Sequence, residues 1–232
     1  DVYARPLAAL FMSEPLTDEV KRDLPDFRRQ ETRAHVDSRP LQKAIMRAHR
    51  QRDALREVAL DMELPEVDVT ARFELDRRLD IAVLGQQLRT ALGIDSVSQA
   101  TLLQPEVLLR ELVRRAEELN VTIIQVQRVE LHEMRGFSLG DGTCPVVALN
   151  GADWPRGKIY TLLHELSHVG FRSNGLCDLH PEQDAKMERS CDAVAAAALM
   201  PPRAFLSALD SMSRSTLNQD LARTVGAMFG AS

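Results

Sequence analysis

Two histidines and a glutamate lie together in the segment HELSH, where His164 and His168 are four residues apart and Glu165 follows the first. On an α-helix, at about 100° per residue, such positions project about 40° apart, so both imidazoles can reach one ion. In zinc hydrolases the metal acidifies a bound water, and a neighbouring carboxylate takes its proton. The motif therefore predicts two histidine ligands and Glu165 as general base. Two histidines on a polar helix face without a metal are the alternative.

A third metal ligand is expected from the next predicted helix, because a catalytic zinc site has three protein ligands and one open position. Glu188 is followed four residues later by Asp192, on the same helix face. We expect Glu188 to ligate, and Asp192 to orient a histidine by accepting its second ring N–H. Ordinary exposed acids are the alternative, and the rival ligands are Glu182, Asp184 and His180.

The other polar residues give weaker indications. The group that would stabilise a developing oxyanion is left open between Tyr160, Arg172 and His180, each of which also suits a structural role. Three histidines stand alone in the sequence and are expected to be surface residues, namely His35, His49 and His132. Cys191 is expected to be a small packing residue.

Residue periodicity predicts the elements that position these side chains. Helices are expected at 39–64, 69–92, 105–119, 160–169 and 183–199, from helical spacing of apolar residues and from Pro105, Gly93 and Pro201 at their ends. Short β-branched or alternating runs predict strands at 121–129, 134–140 and 144–150. The fold class is therefore α+β, mostly helical, with a small three-stranded sheet packed against the HELSH helix.

Two further expectations concern packing and substrate. The alanines at 195–198 would let their helix approach a neighbour closely, although helix propensity accounts for them nearly as well. The run VVALN at 146–150 could be an edge strand on which an extended substrate pairs by main-chain hydrogen bonds. A purely structural strand is the alternative.

Composition limits the classes of function. The chain has 232 residues and a net charge of −5, so its overall charge gives no indication of nucleic-acid binding. Three cysteines without a C-x-x-C pair argue against a disulfide framework and suit a reducing cytosol. No apolar run approaches the roughly 20 residues of a membrane span, so a cytoplasmic protein without membrane contact is expected.

The chain is divided, on its composition, into three parts. Residues 1–38 are expected to be a linker and the tail of a removed N-terminal domain, because an apolar opening runs into a charged, proline-containing segment. Residues 39–120 form a helical region. Residues 121–232, which contain the HELSH motif, are expected to form a metallopeptidase core with C-terminal helices.

Two blocks of sequence around the motif resemble the ImmA/IrrE family of metallopeptidases. GFSLGDGTCPVVALNGADWPRGKIYTLLHELSHVGF is similar to its two strands and metal-binding helix, and ERSCDAVAAAALMP is similar to its second metal helix. The likeness covers roughly residues 121–206, and both blocks in order are far more specific than H-E-x-x-H alone. Where the family often has Ala-Asn and a Phe, this chain has Cys191, Asp192 and Val194.

The resemblance implies a zincin-like site with His164, His168 and Glu188 as metal ligands and Glu165 as catalytic residue. It implies a bacterial, zinc-dependent endopeptidase, related in ligand spacing to thermolysin-like gluzincins, with Mn²⁺ or Fe²⁺ as other ions for these ligands.

The resemblance also implies a partner: a helix-turn-helix repressor, cleaved or relieved in stress, DNA-damage or mobile-element responses. The opening RPLAALFMSEPL with PDFRR is similar to the junction after an XRE-type helix-turn-helix domain, so DNA would be contacted only through a domain outside this chain. The alternative is a non-catalytic sensor or antitoxin domain of an XRE-type regulator.

Overall fold

The structure is a computed structural model that describes residues 38–63, 74–96, 104–140, 143–173, 181–211, 224–226 and 228–229. The expectations for 1–37, and for His180, lie outside these residues. In the described part, the helices are α1 Arg39–Asp61, α2 Ile81–Ala91, α3 Pro105–Glu118, α4 Pro155–Gly170, α5 Pro181–Leu199 and α6 Pro202–Ser211, with a 3₁₀ turn at Ile94–Ser96. The α+β class, with mostly helical residues, is confirmed.

The second predicted helix begins later than its sequence pattern indicates. Residues 74–80 are not helical, and residues 69–73 lie outside the described part. The Asp76 carboxylate accepts hydrogen bonds from the backbone N–H and the guanidinium of Arg78, which holds a turn instead. Asp80 then adopts an extended conformation at the N-cap, so α2 starts only at Ile81.

The sheet contains β1 Thr122–Val126, β2 Gly136–Leu139 and β3 Val146–Asn150 in the order β1, β3, β2. β1 runs parallel to β3, and β2 runs antiparallel to it. The expectation that VVALN is an edge strand is wrong, because β3 is the central strand and all five of its residues are buried. The physical reason is that both neighbours use its main-chain groups, which leaves none for a substrate.

The two faces of the sheet pack against different helices. Val147 and Leu149 face a core shared with α4 and α5, whereas Val146 and Ala148 face a core shared with α1. This follows from the two-residue period of a strand, since alternate side chains point to opposite faces. The helix that carries HELSH therefore lies on the face opposite α1.

Small residues let the helices and the sheet approach closely. A Cβ at Gly85 on α2 would lie 2.6 Å from Cβ of Ala197 and 2.8 Å from its carbonyl carbon. A Cβ at Gly136 on β2 would lie 2.4 Å from Thr161 Cγ2 of α4. The alanine-rich part of α5 thus packs tightly on α2, as expected, and α4 packs tightly on β2.

The main core crosses the boundary expected near residue 120. Leu84 of α2 and Leu112 of α3 belong to the same buried cluster as Leu162 of α4. The division into three parts stays a prediction. Within the described residues, every helix is too short or too polar to pass through a lipid bilayer.

Candidate metal centre

The α4 helix holds the two histidines because its apolar residues are fixed in the core. Pro155 occupies its first turn, where a missing N–H costs nothing. Its apolar side chains have no exposed surface, namely Ile159, Leu162, Leu163, Leu166 and Val169. Burial of this stripe fixes the rotation of the helix, so the direction of His164 and His168 follows from the core packing.

The α5 helix brings the two acids to the same place. Cys191, Val194, Ala195 and Ala198 are fully buried against the core, which orients the helix. Glu188 and Asp192 lie one turn apart on its exposed side, next to α4. Cys191 is therefore a packing residue, as expected, and burial raises the pKa of its thiol.

Two imidazole nitrogens from α4 and the carboxylate of Glu188 from α5 lie close together. His164 Nε2 lies 3.2 Å from His168 Nε2 and 3.1 Å from Glu188 Oε2, and His168 Nε2 lies 3.2 Å from Glu188 Oε1. For zinc bonds of about 2.0–2.1 Å, neighbouring ligands of a tetrahedron are separated by about 3.3 Å. The observed separations are close to that value, and among the described residues these three side chains form the group that could hold a metal ion.

The outer nitrogen of each imidazole has an acceptor. His164 Nδ1 lies 3.0 Å from Asp192 Oδ1, and a carboxylate oxygen can only accept. His168 Nδ1 lies 3.1 Å from Ser173 Oγ, whose own proton points to the His168 carbonyl oxygen 3.2 Å away. Both rings therefore carry a proton on Nδ1. Their Nε2 atoms face each other at 3.2 Å, an arrangement that suits a shared cation.

Glu165 lies beside these side chains in a buried environment. Its Oε2 atom is buried without a hydrogen-bonding partner, and a hydrogen bond from the Ser138 side chain reaches the carboxyl group. Burial raises the pKa of Glu165, although the charges of His168 and His164 and the bond from Ser138 oppose this. The orphaned oxygen fits a group that takes a proton from a ligand bound at the centre.

The acids set the charge of the site. Burial disfavours the charged form of His164, but its hydrogen bond to Glu188 and the charges of Glu165, Glu188 and Asp192 together raise its pKa to about 9. Burial opposes ionisation of Glu188, yet its bonds to His164 and His168 lower its pKa to about 2. Both shifts favour a protonated His164 beside an ionised Glu188.

The structure thus brings together the three predicted ligand residues, the predicted base and Asp192. Of the proposed oxyanion donors, Tyr160 donates to Asp192 Oδ1 at 3.0 Å, and Arg172 Nε lies 3.8 Å from Glu74 Oε1. The side chains of Glu182 and Asp184 are not among those that the structure describes, and neither are His35 and His180. His132 is exposed, and His49 is half-buried on α1.

Two contacts of the site are not apparent in the sequence. Ser173 orients His168 from the turn after α4, and Ser138 reaches Glu165 from β2. Serine is common in loops and strands, so neither residue stands out by type or spacing. Only the position of Ser173 five residues after His168, just beyond the helix end, could have indicated a contact with that histidine.

Comparison with known proteins agrees with this geometry. The profile of the family described as Peptidase_M78, IrrE N-terminal-like domain, matches residues 116–232, which include both strands of the resemblance and both metal helices. No curated protein matches the chain significantly. The matched segment contains all the residues that meet at the centre. The chain therefore belongs to the IrrE N-terminal-like domain family and contains a metallopeptidase-like domain of that type.

Proposed function

We propose that this chain is a zinc-dependent endopeptidase of the ImmA/IrrE type, which cleaves or relieves a helix-turn-helix transcriptional repressor in a stress, DNA-damage or mobile-element response. The observation that carries the proposal is the convergence of His164 Nε2, His168 Nε2 and a Glu188 carboxylate within 3.1–3.2 Å of one another. A glutamate with an orphaned oxygen stands beside them.

Zinc is the metal that this donor set favours. Two neutral imidazoles and one carboxylate in a tetrahedral arrangement with one open position are typical of catalytic zinc, although Mn²⁺ or Fe²⁺ can use the same donors. When bound here, zinc would supply a Lewis acid that polarises a carbonyl and acidifies water.

The protein's own groups would hold and move protons around that metal. Asp192 and Ser173 accept the Nδ1 protons, so the Nε2 lone pairs of His164 and His168 stay directed at the ion. Glu165 accepts a proton from the attacking water on Oε2 and later donates a proton to the leaving amine. Because the pKa of Glu165 is raised, its carboxylate is a stronger base than an exposed one. Peptide hydrolysis needs both transfers.

The substrate is proposed to be a protein. Glu188 and Asp192 keep about half of their side-chain surface exposed, 49% and 57%, so one side of the centre is open to a chain that approaches from solvent. The resemblance to ImmA/IrrE members supports a helix-turn-helix repressor as that chain. Contact with DNA would come through a domain outside this sequence.

The direct test replaces Glu165 by Gln in protein loaded with zinc. We expect cleavage of a helix-turn-helix repressor that binds this protein to fall by at least about 10²-fold, an order given by loss of general base catalysis. Zinc content should not change, because Glu165 is not a ligand. Glu130→Gln, on an exposed glutamate outside the site, is the matched control.

Each outcome decides between the two functions. Cleavage that disappears with Glu165→Gln but survives Glu130→Gln supports the peptidase. Binding of the repressor by zinc-loaded protein, without cleavage in either form, would contradict the enzyme and favour a non-catalytic sensor or antitoxin domain.

A further inference from the structure

A cavity of about 330 Å³ lies between α1 and β1, at the edge of the sheet. From α1 it is lined by Arg39, Lys43 and Arg47, and from β1 and the two residues after it by residues 124–128. We call it the basic groove. Ile124 and Val126 belong to the core that α1 covers, so the groove opens on the sheet face opposite α4 and the metal centre.

The charge of the basic groove is opposite to that of the whole chain. Arg39, Lys43, Arg47 and Arg128 are exposed, and the first three recur at every fourth position of α1. Residues 38–52 contain no acid, although the chain has a net charge of −5. Glu133 accepts a hydrogen bond from the Ser38 N–H at 2.6 Å but does not line the groove. This concentration of positive charge favours an anionic ligand.

The second feature of the groove is the outer edge of β1. Thr122 N donates to the Pro145 oxygen at 2.9 Å, and Gly151 N donates to the Val126 oxygen at 2.7 Å. In a β-strand the N–H and C=O of one residue point to the same side, and successive residues alternate between the two sides. The main-chain groups of Thr122 and Val126 point towards β3, so those of Gln125 point away from it. In the part of the chain that the structure describes, no strand pairs with that side of β1.

We propose that the basic groove binds an extended acidic segment of a partner protein, which pairs with the edge of β1 and places carboxylates against the row on α1. Alternate residues of a strand are about 6.6 Å apart. Successive basic residues on α1 are separated by four steps, about 6.0 Å. The two spacings match, so every second residue of the segment can meet one basic side chain.

A nucleic acid would use the charges of the groove but not its free main-chain groups. The strand edge therefore favours a peptide over an oligonucleotide. The site is on the other side of the sheet from the metal centre, and the inference holds whether or not the chain is a peptidase.

The test measures binding of a synthetic peptide that alternates glutamate with threonine, by fluorescence anisotropy at low salt. We expect binding to weaken roughly tenfold or more in Lys43→Glu with Arg47→Glu, since like charges would face each other. Arg110→Glu with Arg203→Glu makes the same change in net charge at exposed positions outside the groove, and should leave affinity within about twofold.

Gln125→Pro tests the strand edge separately. It removes an N–H that points away from β3, so the sheet should remain intact while peptide binding falls several-fold. Circular dichroism checks the fold of each variant. If Gln125→Pro does not fold, protection of the Gln125 amide from hydrogen exchange on adding peptide to unmodified protein replaces it.

The results are decisive in each direction. Loss of peptide binding in the groove variant and not in its control, together with dependence on the β1 edge, supports the proposal. No peptide binding, or equal loss in both charge variants, overturns it. A single-stranded oligonucleotide of equal length that binds more tightly than the peptide and ignores the edge would make the groove a nucleic-acid surface and also overturn it.

Discussion

The contacts around the three candidate ligands would determine how well the two histidines can hold a metal. Asp192 accepts the Nδ1 proton of His164 at 3.0 Å and a hydrogen bond from Tyr160. Ser173 serves His168 in the same way. Together these groups fix which nitrogen of each ring is directed at the centre, so the two imidazoles are oriented before a metal arrives.

Removal of the Asp192 carboxylate should weaken metal binding without abolishing it. We expect Asp192→Ala to lower zinc affinity by about 10–100-fold, because His164 loses the acceptor that orients its ring. Competition with a chromophoric chelator measures the affinity. Ser190→Ala, on the same helix, removes a hydroxyl that bonds to the Lys186 carbonyl and serves as the control. Equal affinity in all three proteins would contradict the role of Asp192.

Stability of the metal-free protein should depend on pH through His164. Its folded-state pKa is raised from 6.5 to about 9, so its stabilisation is complete below pH 6.5 and is lost as the pH rises through about 9. Glu165, whose pKa is also raised, acts in the same direction, while Glu188 stays ionised throughout. Urea unfolding after chelation should show a falling midpoint between pH 6.5 and 9.

The matched variants are His164→Gln, which should flatten that pH dependence, and His132→Gln, which should not, since His132 is exposed on another part of the fold. A midpoint that rises over this range in unmodified protein would show that His164 is not held as a cation in the folded state.

At the scale of elements, the site depends on how closely helices can pack. The contact between Gly85 of α2 and Ala197 of α5 holds the ligand-bearing helix in place, and the contact between Gly136 and Thr161 does the same for α4 and β2. A change at either glycine therefore acts on the metal centre through the distance between elements and not through any ligand.

Gly85→Ala should destabilise the fold although alanine is the better helix former. The added methyl group would meet backbone atoms of Ala197 and Ala198 at 2.8 and 2.9 Å. We expect overpacking to lower the free energy of unfolding by about 1–3 kcal/mol, whereas the higher helix propensity of alanine would raise it by about 1 kcal/mol. Urea denaturation measures the net loss. Ala82→Gly, on the exposed face of α2, should cost about 1 kcal/mol from propensity alone. Greater stability in Gly85→Ala would refute the close approach.

Helical periodicity predicted most elements well, because an amphipathic pattern sustained over three or more turns is rare outside helices. It failed at 74–80, where one Asp76 turn delays the start of α2 by several residues. It also could not give the strand order. VVALN lies in the centre of the sheet because β1 returns beside it in parallel, a long-range pairing that no local pattern encodes.

The candidate site could be predicted further than the fold around it. H-E-x-x-H and a Glu-Asp pair one turn apart are local patterns whose chemistry restricts their use, so the three candidate ligand residues that the structure brings together could be named from the sequence. Ser138 and Ser173 could not, since their roles depend on which strand and which turn come to lie beside α4.

At the scale of the whole molecule, two different surfaces lie on opposite faces of one small sheet. The α4 face carries the candidate metal centre, and the α1 face carries the basic groove. A bound metal would link α4, which carries the two histidines, to α5, which carries Glu188. Since α5 also packs on α2 and α4, the metal would stabilise the entire main core.

The number of zinc ions bound per chain, in protein purified without added metal and measured by mass spectrometry of the element, tests the central claim most directly. We predict about one ion per chain for the unmodified protein and a loss of bound zinc for Glu188→Ala, which removes one of three donors. Glu130→Ala should retain the ion. Unmodified protein that stays free of metal even after incubation with zinc, or Glu188→Ala that keeps a full ion, would contradict a metal centre shared by α4 and α5.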